Sequence, residues 1–219
     1  MMTHKLFWQN PYLTQLETHV TGVQGSDITV DQTIFYAFSG GQESDEGTIG
    51  DYRVLQARKD GKEIIYTLEN GHLLKPGDPV TMRIDWTRRY RLMRLHFAAE
   101  IVLELAYRSL PAIQKIGAHI APDKARIDFA WPERIAGMLP SLQEQALAII
   151  AANHNIISSF SDQAQEQRYW EIAGFARVPC GGTHLKKSGE VGEIGLKRKN
   201  VGKGKERIEI YLADDQRRA

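Results

Sequence analysis

A change of hydrophobic period near Asp85-Trp86 narrows the folds open to this chain more than any other feature. Before it, runs of β-branched residues bounded by turn residues read as strands over residues 14–22 and 26–34. A hairpin follows, with arms at 48–59 and 63–68 joined at Asp60-Gly61. Lys75-Pro76-Gly77-Asp78 marks a further turn before a strand over 80–85. After the change, Leu92, Leu95, Ala99, Val102, Leu103 and Ala106 recur at helical spacing, predicting a helix over 87–109. Strand character returns over 116–130, and Ser141-Leu142-Gln143-Glu144 reads as a capping box opening a helix to about residue 158. A third helical piece is expected over 162–172, and residues 206–212 alternate as a final strand. The expected class is α+β, with a β-barrel-like N-terminal subdomain over 1–86. An α+β core with an antiparallel sheet and flanking helices is expected over 87–219.

Composition closes off several classes. The 219 residues carry a net charge of +1, so no bulk polyelectrolyte behaviour follows, and no apolar run reaches the ~18 residues of a membrane helix. Residues 1–11 lack the apolar stretch of a secretory signal. A single cysteine rules out an internal disulfide and fits a reducing compartment, so a cytoplasmic protein is expected.

That cysteine lies in Pro179-Cys180-Gly181-Gly182-Thr183-His184, with a histidine four positions on across two glycines. Thiolate and imidazole are preferred zinc donors, and a glycine-rich turn lets both approach one ion. Two donors do not complete a tetrahedral site. The best source of the rest is Arg94-Leu95-His96-Phe97-Ala98-Ala99-Glu100, where the i, i+4 spacing puts His96 and Glu100 on one helix face. Two other readings of Cys180 stand beside this: a small buried apolar residue, or a nucleophile activated by His184. The turn chemistry around it favours the metal, and no third residue in its neighbourhood orients a nucleophilic pair.

Several segments together carry a family resemblance. They are Asp31-Gln32-Thr33-Ile34-Phe35-Tyr36, Ser39-Gly40-Gly41-Gln42, Arg91-Leu92-Met93-Arg94-Leu95-His96, the Cys180 turn, Gly189-Glu190-Val191-Gly192 and Arg207-Ile208-Glu209-Ile210-Tyr211. In this order the chain resembles the alanyl-tRNA editing proteins, free-standing relatives of the editing domain of alanyl-tRNA synthetase. The resemblance implies ATP-independent hydrolysis of serine or glycine wrongly esterified to the alanine tRNA, a step of translation fidelity. It also implies a zinc ion held by a His-x-x-x-His pair and a Cys-x-x-x-His pair. Carried over, His96, Cys180 and His184 match, whereas Glu100 stands where the family pattern has its second histidine. Glu100 then either ligates as a carboxylate, acts on the attacking water as a base, or marks a weak or vestigial metal site, with ligation the favoured reading. Gly40, Gly41, Gln114 and Thr183 are the expected substrate-binding residues, and Gln42, whose amide would line the same pocket, is expected with Glu100 to be catalytic.

Basic residues flank both candidate donor pairs. Arg88, Arg89, Arg91 and Arg94 precede His96, and Lys186, Lys187, Lys197 and Arg198 are among those following the Cys-His turn. Arg88, Arg91, Lys186 and Lys197 are the expected phosphate contacts of a mischarged alanine tRNA. Two other classes stay open. One is a non-catalytic tRNA-binding module with a closed structural zinc, and the other is a zinc hydrolase of a different aminoacyl-tRNA. Nothing in the sequence distinguishes a monomer from a homodimer.

Overall fold

The computed structural model describes residues 3–213, so the outer bounds expected for the two domains, residues 1 and 219, lie outside the described residues. The chain is α+β, with mostly antiparallel sheets and, among the described residues, two α-helices. It divides into two compact units, one of residues 1–39 with 43–90, the other of Gly40–Gln42 with residues 91–219.

The first unit holds β1 (His4–Lys5), β2 (Gln15–Gln24), β3 (Asp27–Val30), β4 (Gln32–Thr33), β5 (Gly47–Ile49), β6 (Tyr52–Asp60), β7 (Glu63–Leu68) and β8 (Pro79–Ile84). Six of these pair in the cyclic order β2-β3-β7-β6-β5-β8, with β8 returning to β2, so the sheet closes on itself as a ring. The period of two explains the core. Along β7, Ile64, Tyr66 and Leu68 are buried while the residues between them are half-buried. Together with Val20, Ile28 and Met82 they fill the ring. The strand expected over 48–59 is divided into β5 and β6 by the turn at Gly50-Asp51.

Helix α1 (Trp86–Ser109) begins in this unit. Arg89, expected among a solvent-facing basic group, is fully buried here. It forms a two-pronged ion pair with Asp45 and donates to the carbonyls of Pro11 (2.9 Å) and Ile34 (2.6 Å). A guanidinium presents its donors in a planar fork, and here four of its hydrogen bonds are met by protein, which is what permits a buried cation.

From Arg91 onward α1 belongs to the second unit, and from Leu92 to Ala106 it is buried on nearly every side. Helices apolar all round are core helices. The single stripe expected from sequence understates this, because Met93, Phe97 and Ile101 are also fully buried. Next come β9 (Gln114–Ile120), β10 (Ala125–Ala130), α2 (Leu139–Ala151), β11 (Ile157–Asp162), β12 (Gln167–Ile172), β13 (Ala176–Pro179), β14 (Ile194–Asn200) and β15 (Lys205–Leu212). They form an antiparallel sheet of order β14-β15-β10-β9 and a three-stranded antiparallel sheet β11-β12-β13.

Two expectations are corrected here. The capping box at Ser141 does not form: α2 starts earlier, at Leu139, without a side-chain cap, and Pro140 supplies the preset φ of a first turn. The helix ends at Ala151, and the segment expected to be helical over 162–172 contains β12. In β12, Arg168, Trp170 and Ile172 alternate as buried residues, a period of two that polar neighbours and a short span masked. Among the described residues, no helix is long and apolar enough to cross a membrane.

Candidate metal centre

His96 lies in the buried middle of α1, 5% exposed, with Glu100 one turn further on. Cys180 follows β13 directly. Its N–H donates to the Arg168 carbonyl at 2.9 Å, extending the β12–β13 pairing by one residue and holding the thiol beside β12. The turn then runs through Gly181 and Gly182 to Thr183 and His184, both buried. One ligand atom each from His96, Cys180 and His184 lie within 4.8 Å of one another, a group able to hold a metal ion. Glu100 lies outside that mutually close trio and joins it through His96, with Oε1 3.3 Å from Nε2.

The glycines of the turn have different duties. A Cβ on Gly182 would lie 2.0 Å from Cε1 and 2.6 Å from Nδ1 of His96, and 3.0 Å from Oε1 of Gln42. A Cβ on Gly181 would meet nothing within 4 Å. Only the absence of a side chain at 182 allows the turn to close against the imidazole.

The donor atoms fit a cation. Nε2 of His96 faces the Cys180 sulfur at 3.4 Å as well as the Glu100 carboxylate, and one N–H cannot serve both acceptors well. Nε2 of His184 is sealed from solvent without a hydrogen-bond partner, while its Nδ1 lies 3.0 Å from Oγ of Ser158. An imidazole with one nitrogen held by a polar partner and the other bare is arranged as metal-ligating histidines are.

The electrostatics agree. Burial opposes a charge on His96, but the Cys180 sulfur and the Glu100 carboxylate together outweigh it and raise the imidazole to about 10. Burial would raise Glu100, yet the hydrogen bond and charge of His96, with the Trp170 N–H, pull it down to about 2. Burial, reinforced by the His96 charge, pushes His184 down to about 3 and keeps it neutral. A carboxylate, a sulfur and a neutral imidazole around a proton-holding imidazole are a donor set of the kind that binds a divalent cation.

The other expected site residues are spread unevenly. Gln42 is buried and paired reciprocally with Thr183: its Nε2 donates to Oγ1 at 2.9 Å and its Oε1 accepts from the Thr183 N–H at 3.4 Å. Gly41, at φ 87°, accepts at its carbonyl from the Ile120 N–H, and a Cβ there would lie 2.5 Å from the Ala118 carbonyl oxygen. The Gly40–Gln42 loop is thus docked on β9 and reaches the Cys-His turn. Gln114 is exposed at the start of β9, opposite Ala130. Arg88 is tied to Glu43 (2.7 Å), Glu46 (3.4 Å) and the Ser44 carbonyl, and Arg91 donates to the Pro122 carbonyl. Arg94 likewise donates to the Val191 carbonyl. Lys186 and Lys197 are exposed, the latter over the Tyr211 ring.

Sequence reasoning missed Ser158, Arg168 and Trp170. Arg168 is buried, and desolvation lowers it to about 10 against the opposing pull of Cys180. The alternation of Arg168, Trp170 and Ile172 was the available signal, hidden by the expectation of a helix there.

Fold and site define an α+β protein with two buried histidines and a half-buried cysteine brought together by a core helix and a glycine turn. The family described as the threonyl and alanyl tRNA synthetase second additional domain matches residues 171–209. The alanyl-tRNA editing protein AlaX-M of Pyrococcus horikoshii is 34% identical, over 96% of this chain and 98% of its own length. AlaX-M of Methanosarcina mazei is 32% identical, over 97% of this chain and 98% of its length. The alanine–tRNA ligase of Ignicoccus hospitalis is 32% identical over 88% of this chain, which spans 24% of that longer protein. The chain belongs to the alanyl-tRNA editing protein family.

Proposed function

We propose that this protein is a cytoplasmic trans-editing hydrolase that removes serine or glycine from mischarged alanine tRNA at a zinc centre held by His96, Glu100, Cys180 and His184. The observation that carries the reading is the approach of His96, Cys180 and His184 within 4.8 Å, in a member of this family, with the buried Nε2 of His184 bare. When bound, zinc supplies Lewis acidity and a fixed positive charge at the reacting ester.

The aminoacyl ester is already activated, so the residues need only place water, hold the developing oxyanion and discriminate the side chain. Water adds to the carbonyl carbon and the bond from that carbon to the ribose oxygen breaks. The ribose oxygen takes up a proton, and the amino acid leaves as a carboxylate; no ATP is consumed. The Gln42–Thr183 pair forms one wall, with Gly40 and Gly41 offering backbone N–H groups beside it. The Thr183 hydroxyl, whose oxygen accepts from Gln42, is the group we assign to the serine hydroxyl, since alanine offers its O–H no acceptor. Gln114 extends the substrate surface along β9. Residues 1–86 form a barrel-like support and residues 87–219 the editing domain. Phosphate contacts are assigned to Arg88, Arg91, Lys186 and Lys197, of which the two lysines are exposed.

The test is incubation with Ser-, Gly- and Ala-charged alanine tRNA, with and without chelator. Release of serine or glycine that chelation abolishes and zinc restores is the expected result. Failure to deacylate any of the three defeats the proposal.

A further inference from the structure

The family's pattern accounts for the four donor positions but not for what surrounds them. Three residues around the centre come from one hairpin, β11–β12. Ser158 and Trp170 are directly opposed in its register, and Phe160 opposes Arg168. Opposed residues of an antiparallel pair share a face, and so do residues two apart along one strand. Ser158, Trp170 and Arg168 therefore project from the same side, the Arg168 guanidinium lying 4.9 Å from the Phe160 ring. Two of these side chains each reach a different donor: Ser158 Oγ is 3.0 Å from Nδ1 of His184, and Trp170 Nε1 donates to Oε2 of Glu100 at 3.0 Å. The Arg168 carbonyl accepts the Cys180 N–H at 2.9 Å.

The Trp170 bond carries most. The indole is fully buried and packed edge-on against Phe97 of α1, ring centroids 5.0 Å apart, so its N–H has a fixed direction. With Oε2 taken, Oε1 is the oxygen that Glu100 turns toward Nε2 of His96, at 3.3 Å. Two donors each ~2.0 Å from one tetrahedral ion lie ~3.3 Å apart, and a nitrogen and a sulfur lie ~3.5 Å apart. The 3.3 Å and 3.4 Å separations of Nε2 of His96 from Glu100 Oε1 and the Cys180 sulfur are of that order, while Glu100 stands outside the 4.8 Å span shared by His96, Cys180 and His184. A histidine at position 100 would have no use for this arrangement. Ligating through one nitrogen, it would carry N–H on the other, and an N–H cannot accept from an indole.

The geometry points to Trp170 as a positioning residue for the metal centre: its indole N–H holds one oxygen of Glu100 and presents the other as a single-oxygen donor. This rests on the proposed zinc reading, but it is tested on the protein without tRNA, so the two fail separately. Zinc affinity is measured by competition with a chromophoric chelator, and the ligand field by the visible absorption of the cobalt(II) form. Trp170→Phe, which keeps the ring and loses the N–H, lowers zinc affinity roughly 10–100-fold and shifts the cobalt bands. Placed on Glu100→His, the same substitution changes affinity by less than about threefold. An unchanged affinity and spectrum in Trp170→Phe overturns the inference. So does an equal loss in the Glu100→His background, because the indole would then act through packing. Should Trp170→Phe not fold, Glu100→Gln decides, as it keeps an acceptor for the indole and removes the anion. It must weaken zinc and alter the cobalt spectrum, and no change in either rejects Glu100 as the donor that Trp170 positions.

Discussion

At the residue scale, the centre depends on what is absent as much as on the donors. His96 is buried in a core helix and cannot retreat, so any atom added at Gly182 must displace its ring. Gly182→Ala is expected to lower metal affinity at least ~10-fold, with far-ultraviolet circular dichroism unchanged. Gly181→Ala, whose added methyl meets nothing, is expected to leave affinity within about twofold in the same chelator titration. Equal effects at the two glycines would show that backbone freedom matters in this turn and close approach does not. The same logic separates Gln42 from an ordinary turn residue: its amide is spent on both the hydroxyl and the N–H of Thr183. A loop near residue 40 is thereby bound to a turn near residue 183, a link no local pattern announces.

At the element scale, α1 answers to two sets of neighbours along its length. Its first turns carry Arg89 into the core of the first unit, where the ion pair with Asp45 is shielded completely from water. Removing one partner strands a buried charge, so Arg89→Met is expected to cost about 3–5 kcal/mol in urea unfolding. Asp45→Asn added to that variant is expected to recover part of the loss. The amide removes the stranded charge, and its oxygen still accepts the Tyr36 N–H now bound by Asp45. Further along, α1 presents His96 and Glu100 while β13, continuing into Cys180, supplies the sulfur. The β11–β12 hairpin is the third element of the centre.

At the scale of the whole molecule, the near-neutral net charge conceals an uneven distribution. Arginines that cluster before His96 in the sequence are bonded to carboxylates and carbonyls, and Lys186 and Lys197 are exposed, the latter over the Tyr211 ring. Lys186→Ala and Lys197→Ala are each expected to weaken tRNA binding similarly for any tRNA sequence. Each is also expected to reduce the slope of log affinity against log salt by about 1, measured by filter binding across a salt series. Arg88→Ala is expected to reduce that slope by less, because its guanidinium also faces Glu43 and Glu46.

The fold decided that His96 meets the Cys-His turn, but the amino-acid order by itself determined the change of character near residue 86 and the proximity of Cys180 and His184 in that turn. Those features are local: they follow from periodicities of two and 3.6 and from the chemistry of Cys, His and Gly. Arg89 read as a surface cation because its neighbours are basic, and only the fold brought Asp45 to it from 44 positions away. The span containing Trp170 read as helix because a six-residue strand is too short for its alternation to outweigh polar neighbours. Its role became visible only when strand pairing set Ser158 opposite it and packing set Phe97 beneath it. Contacts between distant parts of a chain depend on which surfaces bury one another, and that is a property of the assembled tertiary structure that no window of sequence contains.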